Sequence, residues 1–287
     1  MIIDSQSFLA TGQMVDLPCG LRTHFIEIPA TSAAGKTVVF VHGSGPGASG
    51  WSNFQANLQP FADAGHRVVV FDLPGYGETD KPTDAIYSLD YFVDHLRDLL
   101  DHLEIDQAIL VGNSLGGAIS LGLTLAHPGR VEKLILMATG GIEKREAYFA
   151  MSGIQAMVAY PMGSPAFTSQ VLGSLLQRLV YDNRLVTEQL ISQRWHILQQ
   201  QNPQVLATMQ IPNLTDRLKE ISCPVLAFWG REDEFCPISG ALTLQTECQH
   251  IKVITLSQCG HWVMVEHPEM FNREALEFIE GNQHGAH

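Results

Sequence analysis

The chain has 287 residues, with 17 Lys and Arg against 30 Asp and Glu, a formal charge of −13. So acidic a chain excludes a nucleic-acid binder, which needs cations to displace condensed counterions, and it disfavours adhesion to an anionic membrane. A composition 45% hydrophobic and 16% charged is that of a folded chain long enough to bury a large core without disulfides.

In chain order, the segment before Ala30 reads as an antiparallel hairpin, turning near Pro18–Gly20 and attached to one sheet edge. The apolar runs Thr37–Val41, Arg67–Phe71, Ala108–Val111, Leu134–Ala138, Val225–Trp229 and Ile251–Leu256 follow. They are nearly continuous rather than alternating, the pattern of strands covered by helices on both faces. Helices are predicted between them. One lies near Ser52–Ala64. Another starts at a Ser88 cap and carries Leu89, Phe92, Val93, Leu96, Leu99, Leu100 and Leu103 at three- and four-residue steps. Others cover Leu115–Ala126, Ile238–Thr246 and Pro268–Ile279. The alternation specifies a doubly wound, mainly parallel α/β sheet.

The rhythm breaks between about Gly140 and Leu214. This stretch has no convincing strand, four Met, many Gln and helical pieces such as Leu185–Leu198. A long excursion at a strand's C-terminal end reads as a helical lid over a site. The core is therefore expected at residues 1–139 and 215–287, and the lid at 140–214.

The five cysteines are Cys19, Cys223, Cys236, Cys248 and Cys259. The number is odd and no pair has CxxC spacing. Neither a disulfide framework nor a zinc site is expected, and reduced thiols in a cytosol fit best. The first basic residue is Arg22, so the start lacks the charged region of a secretory signal. No apolar run approaches the roughly 20 residues of a membrane span. A cytoplasmic location is expected.

Gly112-Asn113-Ser114-Leu115-Gly116 is G-x-S-x-G, directly after one predicted strand and directly before a helix. That context makes it a nucleophile elbow: a sharp strand-to-helix turn lifts Ser114 to a helix N-terminus, where developing negative charge is favoured. A serine hydroxyl needs a base, and for this elbow the order is Ser, acid, His. Asp233 is the chosen acid, in the loop after Val225–Trp229, with Glu232 and Glu234 as neighbouring carboxylates. His261 is the chosen base, in the loop after Ile251–Leu256. Among the other histidines, His42 precedes a glycine loop, and His284 and His287 lie in the tail. His261 would take the proton of Ser114, while Asp233 fixes the tautomer and steadies the imidazolium. The loop His42–Gly47 follows Thr37–Val41 and presents the main-chain N–H of Ser44 as an oxyanion donor, with that of Leu115 as the second. Asp72 is expected to brace neighbouring loops.

A rival reading takes Gly43-x-Gly45-x-x-Ala48 as a dinucleotide fingerprint, with Asp63 or Asp72 as its acid. Against it, a hairpin precedes the strand and Pro46 sits inside the loop. It also leaves unexplained why Ser114, Asp233 and His261 all fall at strand ends. A relative that only binds a ligand is a second rival. Ser114→Ala separates the three: turnover is lost in a hydrolase, affinity alone changes in a receptor, and little changes in a dehydrogenase.

The chain resembles the α/β-hydrolase fold throughout. More narrowly, it resembles the meta-cleavage-product hydrolases, through His42–Phe54 (HGSGPGASGWSNF), Gly112–Gly117 (GNSLGG), Trp229–Pro237 (WGREDEFCP), Cys259–Asn272 (CGHWVMVEHPEMFN) and the segment Val180–Arg194. The resemblance implies hydrolysis of a carbon–carbon bond in 2-hydroxy-6-oxohexa-2,4-dienoates carrying a 6-substituent. The dienol becomes a ketone, the C6 carbonyl is attacked, and 2-hydroxypenta-2,4-dienoate and a carboxylic acid leave. It implies no cofactor and no metal.

Position by position, Arg194 matches an arginine that grips the substrate carboxylate, a task suited to a guanidinium. Asn53 and Asn113 match polar contacts to the acid end, Trp262 an aromatic lining the dienoate pocket, and Cys259 a pocket-lining cysteine. Relatives commonly form dimers or larger assemblies, so a homo-oligomer is expected. Leu115 stands where the family often has Met, Glu234 where it often has a basic residue, and Cys236 where it has an aliphatic. The stretch after Arg194 also looks shorter than in biphenyl-pathway members. These departures bear on the pocket for the 6-substituent, whose early wall, Tyr148–Met162, is apolar and adaptable. The alternative activity is ester or lactone hydrolysis by the same three residues, which needs no carboxylate clamp opposite the serine. Residues 140–214 carry five positive and four negative side chains, so the chain's acidity belongs to the core, and Arg194 is the expected local exception.

Overall fold

The computed structural model describes residues 12–281. The first 11 residues, where a signal region would lie, and the tail with His284 and His287 are outside that range. Among the described residues eight strands form one sheet: β1 (Gln13–Asp16), β2 (Arg22–Ile28), β3 (Thr37–Val41), β4 (Arg67–Phe71), β5 (Ala108–Asn113), β6 (Val131–Met137), β7 (Val225–Gly230) and β8 (Ile251–Leu256). Their spatial order is β1-β2-β4-β3-β5-β6-β7-β8. The β1–β2 hairpin, in register Asp16↔Arg22, joins β4 antiparallel, and every pairing from β4 to β8 is parallel.

The central strands are buried along nearly their whole length, because helices cover both faces. Alternate residues feed two cores. Val39 and Val41 of β3 join Leu96, Leu99, Leu110 and Ile119 on one face. Val38 and Phe40 join Phe54, Phe61, Phe228 and Phe271 on the other. β8 ends the sheet and is only half-covered.

Several boundaries differ from the sequence expectation. Ala108–Val111 extends to Asn113, which carries the strand into the elbow. Leu134–Ala138 becomes Val131–Met137, because Ala138 turns to φ +42° and leaves the strand. The helix expected near Ser52–Ala64 is two helices, Gly50–Phe54 and Leu58–Asp63. Pro60 has no N–H and belongs in a first helical turn, so the helix restarts before it. The intervening Asn57 spends its side chain on the Met264 carbonyl (3.2 Å) and on Asn272 (3.0 Å). Leu89–His102 forms as expected, with the Ser88 hydroxyl accepting from the Tyr91 N–H.

Between β6 and β7 the chain forms five α-helices, Arg145–Phe149, Ser152–Ala159, Ser169–Arg178, Glu188–Leu198 and Gln204–Thr208. The piece expected to start at Leu185 starts at Glu188, where Thr187 caps the N-terminus; a short 3-10 turn occupies Asn183–Leu185. No helix among the described residues is long and apolar enough to cross a membrane.

Candidate active site

β3 runs to β4 on one side and leads to β5 on the other. The loops after β3 and β5 therefore open at a topological switch point, where open α/β sheets leave a crevice. Ser114 stands on the second of these loops. Its backbone is at φ +55°, in the left-handed region, strain that three hydrogen bonds enforce. Its N–H donates to the Met137 carbonyl (3.0 Å), while its own carbonyl accepts from Ala118 (3.2 Å) and Gly140 (2.9 Å). The elbow has no room for side chains beside the serine. A Cβ on Gly116 would lie 1.9 Å from the Val41 carbonyl oxygen, and one on Gly112 2.5 Å from that of Gly116. The helix Leu115–Ala126 begins at the serine without a side-chain cap or an acidic first turn, leaving its N-terminal dipole uncompensated.

His261 and Asp233 meet as the strand ends predict. His261 Nδ1 and Asp233 Oδ2 are 2.8 Å apart, and both residues are buried. The other oxygen, Oδ1, accepts from the N–H groups of Phe235 (2.7 Å) and Cys236 (2.9 Å). Such fixed donors hold the carboxylate in one orientation. The neighbouring carboxylates are engaged elsewhere. Glu232 accepts from the Cys259 N–H. Glu234 is half-buried and binds Arg178 and Ser152.

A cavity of about 1300 Å³ gathers Ser44, Asn53, Asn113, Ser114, Leu115, Arg194, His261 and Trp262 on its wall. Asp233 stands behind His261. The N–H groups of Ser44 and Leu115 find no protein acceptor among the described residues, the condition of donors reserved for a ligand.

One side of this cavity is cationic. Arg194, on the helix Glu188–Leu198, is fully buried. Its guanidinium lies over the Trp262 ring at 4.7 Å. Nη2 donates to Asn53 Oδ1 (3.0 Å) and Nη1 to the Pro46 carbonyl (3.4 Å), while Nε has no acceptor. Asn53 passes the chain on, its amide donating to Asn113 Oδ1 (3.3 Å), and Asn113 donates to the Met137 carbonyl. Burial pushes the Arg194 pKa down to about 9, which still leaves a cation at neutral pH. Among the described residues no carboxylate pairs with it, and a buried unpaired charge is costly. The remainder of the wall is mainly apolar, with Ile154, Met157, Leu172, Leu176, Met209 and Ile211.

The cysteine expected to line the pocket does not. Cys259 is not on the cavity wall; it packs in the core with Phe228 and Phe271. The hydrogen bonds of Glu232 to the Cys259 N–H and of Glu266 to the Gly260 N–H fix that loop. Cys236 lines the cavity instead, beside Ser114, its thiol held well above its ordinary pKa first by burial and then by the charge of Asp233. Tyr148 also lines the cavity, its hydroxyl accepting from the Ile142 N–H (3.2 Å); only its place in the Met-rich early stretch hinted at this.

The dinucleotide reading fails because its first glycine faces the elbow. A Cβ on Gly43 would lie 3.2 Å from the Ser114 Cβ. Asp72 is consumed within the fold, accepting from the N–H groups of Gly50 and Glu78 and pairing with His24. Among the described residues no group of three or more His, Cys, Asp or Glu is placed to hold a metal ion.

The family model described as "Alpha/beta hydrolase family" matches residues 38–274. The 2-hydroxy-6-oxo-6-phenylhexa-2,4-dienoate hydrolase of Comamonas testosteroni is 35% identical over 85% of this chain and 88% of its own length. The 2-hydroxy-6-oxononadienedioate/2-hydroxy-6-oxononatrienedioate hydrolase of Klebsiella pneumoniae is 34% identical over 97% of this chain and 99% of its own. A solved structure of the meta-cleavage product hydrolase of Pseudomonas fluorescens superposes with a TM-score of 0.83, at 27% identity, over 96% of this chain and 100% of that one. Likeness of this degree, sustained from end to end in sequence and in fold, settles the kinship: the chain belongs to the alpha/beta hydrolase family, in the group of the meta-cleavage product hydrolases.

Proposed function

We propose that the protein hydrolyses the C5–C6 bond of a 2-hydroxy-6-oxohexa-2,4-dienoate bearing a 6-substituent, giving 2-hydroxypenta-2,4-dienoate and a carboxylic acid. The observation that carries this reading is Arg194: a fully buried cation without a carboxylate partner, in the same cavity as Ser114 and His261. A simple ester or lactone hydrolase has no use for such a group. An anionic substrate supplies the partner the fold withholds, and a carboxylate held by Arg194 and Asn53 would place C6 at the serine.

In this reading the dienol first tautomerises to a ketone, so that the bond to be broken lies next to an electron sink. Ser114 loses its proton to His261, whose orientation Asp233 sets, and its oxygen bonds to C6. The N–H groups of Ser44 and Leu115 take the oxyanion. The C5–C6 electron pair leaves as a vinylogous carbanion and is protonated. Water then cleaves the acyl–serine ester, releasing the acid. Asn113 and Trp262 complete the dienoate end, and the apolar wall receives the 6-substituent. Residues 140–214 act as a lid on a core of residues 1–139 and 215–287, supplying Arg194 from above. The enzyme works as a cytoplasmic homo-oligomer, without cofactor or metal.

Product analysis tests the reading. The 6-phenyl dienoate should yield benzoate and 2-hydroxypenta-2,4-dienoate in equal amounts, resolved by chromatography and mass. Intact dienoate after long incubation, alongside brisk hydrolysis of p-nitrophenyl esters, would overturn it in favour of the esterase.

A further inference from the structure

His42 is fully buried and is not on the cavity wall. Its two ring nitrogens have different partners. Nε2 lies 3.0 Å from the N–H of Leu73. A backbone N–H can only donate, so Nε2 must be bare. The ring proton then sits on Nδ1, which donates to the Gly43 carbonyl at 2.7 Å. Burial keeps the ring neutral, its pKa pushed down to about 4.

The Gly43 carbonyl and the Ser44 N–H belong to one planar trans peptide and point in opposite directions. Anchoring the carbonyl to His42 therefore turns the Ser44 N–H the other way. Ser114 is close by, since a Cβ on Gly43 would lie 3.2 Å from the serine Cβ. A second tie holds the next peptide, where the Tyr76 hydroxyl donates to the Ser44 carbonyl at 3.2 Å, its ring edge-on to His42 at 5.3 Å. Leu73 and Tyr76 share a loop that Asp72 fastens at Gly50 and Glu78.

We propose that His42 is a positioning residue for the oxyanion hole, its Nδ1–H fixing the plane of the peptide that presents the Ser44 N–H to the attacked carbonyl. The proposal rests on the functional reading above only in taking Ser114 as the nucleophile and the Ser44 N–H as an oxyanion donor. It predicts an effect on the attack at C6 and none on ketonisation, which develops no charge there.

The test uses the full chain with His42→Asn, His42→Gln and His42→Leu. Asn places an amide N–H near the position of Nδ1, whereas Gln reaches only the position of Nε2. In single turnover of the 6-phenyl dienoate, Gln and Leu should slow cleavage about 10- to 100-fold, with KM within about threefold and ketonisation unchanged; Asn should restore most of the loss. Equal behaviour of Asn and Gln, or parallel losses in ketonisation and cleavage, would overturn the proposal. The unaltered protein offers a second test that no misfolded variant can obscure. Its ¹⁵N spectrum at neutral pH should show a neutral imidazole protonated at Nδ1, and an Nε2–H tautomer or an imidazolium at His42 would refute it. Hydrolysis of p-nitrophenyl acetate needs the same hole, so the cleavage ranking should repeat there. If the dienoates are not substrates, the functional reading falls and this ranking still decides the role of His42.

Discussion

The guanidinium of Arg194 lies 4.7 Å over the ring of Trp262, and the two residues come from distant parts of the chain: one from the helical stretch between β6 and β7, the other from the loop after β8. The aromatic face supplies part of the stabilisation a carboxylate would give. It cannot satisfy the free Nε of the guanidinium. The pair thus leaves a donor for the substrate carboxylate proposed above.

Replacing Arg194 by Ala should therefore lower kcat/KM for a dienoate about 100-fold, the scale of losing a charge-assisted contact to the substrate. Hydrolysis of an uncharged p-nitrophenyl ester should change by no more than about threefold. Lys should recover little, because an ammonium does not reproduce the planar fork. Steady-state kinetics on both substrates gives the answer, and equal losses would mean that Arg194 holds the fold rather than the ligand.

The three acidic residues after β7 should separate cleanly. Asp233→Asn keeps the shape and loses the charge behind His261, so kcat should fall by about 10³–10⁴. Glu232→Gln and Glu234→Gln should stay within about threefold, since their partners are the Cys259 N–H and the side chains of Arg178 and Ser152. A larger loss for Glu234 than for Asp233 would reassign the acid.

The elbow glycines make a stability prediction. Gly116→Ala puts a Cβ within 1.9 Å of the backbone oxygen of Val41, a contact that neither strand nor helix can relieve. The loss should be on the order of 3 kcal/mol or more, measured by urea unfolding. Gly129→Ala, with nothing within 4 Å of the new carbon, is the control and should stay within about 0.5 kcal/mol.

The partly buried His24–Asp72 pair gives a pH dependence with a definite sign. Burial alone would lower the His24 pKa, but the hydrogen bond and charge of Asp72 outweigh it and leave it raised above 6.5. Burial alone would raise Asp72, but the bond to His24 leads the opposing contributions and leaves it below 3.8. A raised histidine contributes fully below its unfolded pKa and loses that contribution as pH rises through its folded one. A depressed aspartate contributes above its unfolded pKa and loses that contribution as pH falls through its folded one. The pair is therefore worth most between about pH 4 and pH 6.5. The Tm gap between the protein and His24→Gln should be wider at about pH 5.5 than at about pH 8.5. A gap that is flat or widens with pH would contradict the assignment.

Much of this was legible in the sequence, for identifiable reasons. A strand such as Thr37–Val41 announces itself because a β-branched run buried on both faces has no polar interruption. Ser114, Asp233 and His261 stand at strand ends, so reading the strands placed all three. Side-chain direction inside loops was not legible. Nothing in the spacing of Cys236 and Cys259 says which faces the cavity; that is settled by the bonds of Glu232 and Glu266 to main-chain N–H groups. The part of His42 was hidden for the same reason, because it acts through a peptide plane rather than through its own side chain in the cavity.

The most direct measurement is the bleaching of the coloured dienolate. The 6-methyl and 6-phenyl dienoates would be followed in the visible, beside p-nitrophenyl esters, with the unaltered protein and with Ser114→Ala. The protein should bleach at least one dienoate with a kcat/KM well above that for any ester, and Ser114→Ala should form no cleavage product. Rapid ester hydrolysis with both dienoates left coloured would contradict this.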